Sequence, residues 1–128
     1  MFIPRSSFVG MFLLFGLSLA VTSCGEDEAT DKGAAWLKEN LAVPVNSGWK
    51  IQEVSVNGKG KLDILVDMYS ATAANKLNSL SAMDKGEVAR LVCPIRGTEF
   101  WEIVGTKATV TVKLTSMGKT QATAICRR

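Results

Sequence analysis

A chain of 128 residues with no histidine lacks the usual general base near neutral pH and the commonest metal ligand. Its three cysteines are too few for a cysteine-rich zinc site, and it contains no G-x-S-x-G elbow, P-loop or dinucleotide glycine pattern. No cofactor is indicated, and the net charge of +3 comes from scattered basic residues rather than a nucleic-acid-binding stripe.

Residues 1–23 have the three parts of a secretory signal: one cation at Arg5, an apolar run over residues 8–20, and small residues before a cut. Val21-Thr22-Ser23-Cys24 then resembles the lipobox of bacterial lipoproteins, an aliphatic residue and two small ones before a cysteine. The resemblance covers the export segment alone, and it departs from the commonest pattern at Val21, where leucine is usual. It implies cleavage just before Cys24, a diacylglyceryl group on the Cys24 sulfur, and acylation of the new amine. By the family's sorting rule, Gly25 in place of aspartate implies the outer membrane, with the protein facing the periplasm. Several acyl chains are needed for a lasting anchor, because one chain alone binds a bilayer only marginally. Two other readings compete. An ordinary signal peptidase cutting at the same bond leaves a soluble exported protein, such as an inhibitor, with a free thiol at Cys24. An uncut anchor is the other, although residues 8–23 fall short of the roughly 20 needed to span a bilayer.

With lipid on Cys24, Cys93 and Cys126 remain as a pair in an oxidising compartment, and the count of three closes. The charge divides along the mature chain. Loss of Arg5 from the 15 basic residues leaves 14, against 12 acidic ones, of which Glu26, Asp27, Glu28 and Asp31 crowd together. From Lys32 onward 14 basic residues therefore face 8 acidic ones, a balance of plus six. The expectation is a flexible acidic tether over residues 24–32 and a single domain over residues 33–128, about a hundred residues being enough for one core. A basic domain is attracted to an anionic envelope component or an acidic envelope protein, and the same charge also serves simply to keep a small domain dispersed.

Residues 34–42 predict a short helix with Leu37 and Leu41 on one face, stopped by Pro44; Trp36 lies one position before that face. Residues 49–56 and 62–68 predict a hairpin across Asn57-Gly58, the strongest short hairpin signal. Leu62, Ile64, Val66 and Met68 alternate onto one face. The phase slips in the first strand, which calls for a bulge near Gln52-Glu53. Asp63 and Asp67 stand roughly 13 Å apart along a strand, too far for a glycosidase pair, and read as solvated charges.

Ser70 offers a cap for a helix over residues 73–83 with Ala73, Ala74, Leu77 and Leu80 as its apolar stripe, broken at Gly86. Residues 87–93 read as a further helical turn or two with Val88, Leu91 and Val92 inward, or alternatively as a strand. Thr98 and Gly105 bracket a third short helix. It carries Phe100 and Trp101, candidate binding anchors if exposed and a plug over the sheet if buried; the plug is the favoured reading.

The periodicity is clearest at the end. Ala108, Val110, Val112 and Leu114 alternate with Thr109, Thr111, Lys113 and Thr115, and Ala122, Ala124 and Cys126 share a face of the return strand. The threonine face reads as solvent-facing strand rather than as a template for ice or sugar. The whole is an α+β domain in two layers, with a four-stranded, mainly antiparallel sheet of two hairpins packed against short helices. A non-enzymatic, membrane-anchored binding or assembly module of the envelope is the leading functional expectation. A small hydrolase of envelope material is the runner-up, and it requires carboxylates gathered in a concave pocket.

Overall fold

The computed structural model describes residues 24–128, with side chains from Glu28 onward. The signal segment and Val21-Thr22-Ser23 lie outside the described residues. Helix α1 (Cys24–Asn40) leads into strands β1 (Trp49–Val56) and β2 (Lys61–Met68), followed by helices α2 (Ala71–Asn78) and α3 (Ala82–Ala89). A 3-10 turn at Arg90–Val92 and helix α4 (Glu99–Val104) complete the crossover to β3 (Thr109–Ser116) and β4 (Lys119–Ile125).

The sheet order is β1-β2-β3-β4. Both hairpins are antiparallel, but the pairing that joins them, β2 with β3, is parallel, so the sheet is mixed. The cause is the long helical connection: only a crossover of a dozen or more residues returns a strand parallel to its neighbour. In the first hairpin the register shifts between Ile51 and Glu53, and the bulge restores Val54 to the buried face. A second shift between Leu114 and Thr115 accompanies the burial of Thr115, whose hydroxyl donates to the Val66 carbonyl at 3.3 Å. That threonine departs from the expected solvent face.

One face of the sheet supplies Leu62, Ile64, Val66, Val110, Val112 and Leu114, all fully buried, and Leu37, Phe100, Ala89 and Val92 close over them from the helices. Among the described residues the apolar core runs from Ala34 to Cys126. Cys93 and Cys126 form a disulfide that joins the end of the 3-10 turn to the end of β4. The Cys126 amide also donates to the Val110 carbonyl at 2.8 Å.

The expected flexible tether over residues 24–32 is instead the first half of α1. Acidic residues near a helix N-terminus suit its dipole, and Glu28 pairs with Lys32 one turn on at 3.3 Å. The stretch is also docked. Thr30 is 2% exposed and its hydroxyl accepts a hydrogen bond from the Gly60 amide at 3.0 Å. Gly33 sits where α1 crosses α4, and a methyl group there would come 2.3 Å from Val104 Cγ1. A charged composition therefore marks the solvent side of a helix here, not a linker.

Candidate functional site

Two of the expected helices are differently divided, and the difference makes a cleft. The expected helix over residues 73–83 stops at Asn78, because Ser79 turns its hydroxyl back onto the Lys76 carbonyl at 2.7 Å and Ser81 caps α3 by accepting from the Asp84 amide at 3.2 Å. Serines bond their local backbone in this way and so favour helix ends over helix interiors. Gly86 does not break a helix; it lies inside α3, where its open Cα position faces the Thr123 carbonyl of β4. At Arg90 the tighter 3-10 turn shifts the phase. Ala89 and Val92 are buried in consequence, while Leu91, expected inward, is 62% exposed.

The loop after α1 supplies the third wall. Ser47 donates its amide to the Pro44 carbonyl at 3.2 Å, and the Tyr69 amide donates to the Gly48 carbonyl at 3.0 Å. Gly48 has φ +76, and a methyl group there would meet Ser70 Cβ at 2.6 Å, so only glycine lets the loop lie against the start of α2. Trp49 follows directly and turns into the gap between loop and helices.

The result is an open cleft of about 460 Å³, with Trp49 and Leu77 at its base and Leu80, Val88 and Leu91 along its sides. That volume is in the range of small-ligand sites, which are typically apolar with a few placed polar groups. Lys76 is the one charged side chain among its lining residues; Asn46, Ser47 and Ser79 supply the remaining polar atoms. A second concavity of about 520 Å³ between α1 and the β1 bulge is lined by Leu37, Leu41, Ile51 and Val54 together with Lys38, Gln52 and Glu53. Among the described residues no three His, Cys, Asp or Glu side chains are gathered to hold a metal ion.

Phe100 and Trp101 are not part of this site. Phe100 is fully buried and Trp101 is 7% exposed, which overturns their reading as exposed anchors and leaves them as the plug. Phe100 packs between Trp36, at 5.6 Å between ring centroids, and Trp101, at 5.0 Å in an edge-on arrangement. The Arg128 guanidinium covers the Trp101 ring at 5.1 Å. Cys24 stands at the first position of α1, and Cys93 and Cys126 are bonded to each other. Trp49, Lys76, Leu80 and Leu91 were missed as site residues because their periodicity is that of core or helix surface. The paired serines at 79 and 81 were the available signal. Among the described residues no helix is long and apolar enough to cross a membrane.

Compared with protein-family models, curated proteins and solved structures, the chain finds no match.

Proposed function

We propose that the protein is a lipoprotein of the bacterial envelope, anchored through Cys24 in the outer membrane and facing the periplasm, and that it works as a non-enzymatic binding module through the cleft at Trp49. The observation that carries this reading is the cysteine arithmetic. Of three cysteines two are joined, and the third follows the lipobox-like Val21-Thr22-Ser23. A disulfide of this kind fits an oxidising compartment outside the cytoplasm.

An anchor at Cys24 carries an orientation of the domain with it. Thr30 is docked on the Gly60 turn, and the six steps from Cys24 to Thr30 reach no further than about 20 Å even when extended. The Gly60 turn joins the far ends of β1 and β2, whereas Trp49 and Met68 pair at their opposite ends. An eight-residue strand is roughly 26 Å long, and on this reading the cleft is at the end of the domain away from the bilayer. Its occupant then comes from the periplasmic side. The plus-six balance from Lys32 onward favours an anionic envelope component there.

Labelled palmitate is expected to enter the protein, and a Cys24→Ser version is expected to lose the label and leave the membrane fraction. Unlabelled protein, with the serine version fractionating like the original, would defeat the anchor.

A further inference from the structure

We propose that the cleft holds one medium-chain fatty acid of about a dozen carbons, its tail against Trp49 and Leu77 and its carboxylate at Lys76. The inference rests on the reading of this cleft as the binding site and names its ligand; it is independent of whether Cys24 carries lipid.

Size comes first. A stable protein partner needs about 800 Å² of each surface, far more than this cleft offers, whereas a small ligand is within its range. At about 30 Å³ for a methylene-sized group, the share a water molecule takes in the liquid, a cleft of about 460 Å³ holds a tail of a dozen carbons.

Chemistry narrows the class. Base and walls are carbon surface: Trp49 and Leu77 are core residues 9% and 3% exposed, yet both reach the cleft, and Leu80 and Leu91 leave apolar surface open at 37% and 62%. Large apolar side chains left exposed around one groove mark a place where apolar matter is bound. The single charge complements one anionic group, since Lys76 has no acidic neighbour among the lining residues. Phosphate groups are characteristically held by arginine forks or by nests of backbone amides. No arginine lines this cleft, and its single lysine complements a singly charged headgroup such as a carboxylate.

The test uses the full chain carrying Cys24→Ser, so it reads the cleft whatever the outcome of palmitate labelling. Dodecanoate is titrated below its aggregation threshold with tryptophan emission as the readout, and Trp49→Phe assigns the signal, because Trp36 and Trp101 lie in the plug. Saturable binding is expected, about fourfold weaker for decanoate as two half-buried methylenes are lost. Lys76→Glu is expected to weaken dodecanoate about five- to tenfold and to leave dodecanol unchanged. Leu91→Asp, at an exposed position that the fold tolerates, is expected to abolish binding while the circular dichroism spectrum and melting temperature hold. The proposal is overturned if no Trp49-dependent signal develops, if dodecyltrimethylammonium or dodecyl phosphate binds as tightly as dodecanoate, or if Lys76→Glu binds like the parent.

Discussion

The helix layer has two aromatic regions that behave in opposite ways. Around Phe100, rings from α1 and α4 close on one another and Arg128 lies over the last of them, so the surface is sealed. Around Trp49 the helices are held apart by the serine break, and the ring forms the base of an open groove. Conspicuous aromatic density thus marks the core, while the open groove is bordered by ordinary leucines beside the break between α2 and α3. A sealed region is paid for in packing, and an open one in exposed carbon surface.

That contrast predicts a descending series of effects on stability. Phe100→Ala should be the most damaging, at about 3–5 kcal/mol by urea unfolding, since a large, fully buried ring is lost. A neutral result would mean that the plug is not close-packed. Removing the disulfide as Cys93→Ser with Cys126→Ser should cost about 3–4 kcal/mol in the chain-entropy model. The bridge closes a loop with a sequence separation of 33, and a matching fall in melting temperature on reduction would check it.

Gly33→Ala tests how tightly α1 seals the same side. Alanine is the better helix former by about 1 kcal/mol. Here its methyl group would fall 2.3 Å from Val104 Cγ1, and an overpacking cost of about 1–3 kcal/mol should outweigh that gain, for a net loss of up to about 2 kcal/mol. No loss would mean that α1 does not pack closely on Val104. Arg128→Ala should cost only about 0.5–1 kcal/mol, the ordinary worth of a cation over an indole face. Leu91→Asp should stay within about 0.5 kcal/mol, because the side chain is mostly in solvent. A larger loss there would place Leu91 in the core and remove the contrast between the two regions.

The second hairpin was legible residue by residue. Val110, Val112 and Leu114 alternate with polar neighbours on a strand of period two, and all three are buried as that pattern requires. The bulge at Gln52-Glu53 was legible too, because a slip of one residue reverses every side chain and must be repaired. The paired cysteines followed from their number once Cys24 was set aside. Other features needed contacts. Residues 24–32 have a linker's composition, and only the bond from Gly60 to Thr30 and the space left by Gly33 show why they are helical and docked. Leu80 and Leu91 carry no local mark of exposure, whereas the inward placement of Ala73, Leu77 and Val88 was legible.

Periodicity, capping and turn chemistry are local, acting over four residues or fewer, and they were enough to determine the hairpins, the order of the elements and the α+β class. Which strand lies beside which, that β2 and β3 run parallel, and that one tryptophan is sealed while another lines a cleft depend on how distant segments divide a limited volume. No window of the chain contains that division, because each side chain's burial is decided by neighbours that the chain brings to it only on folding.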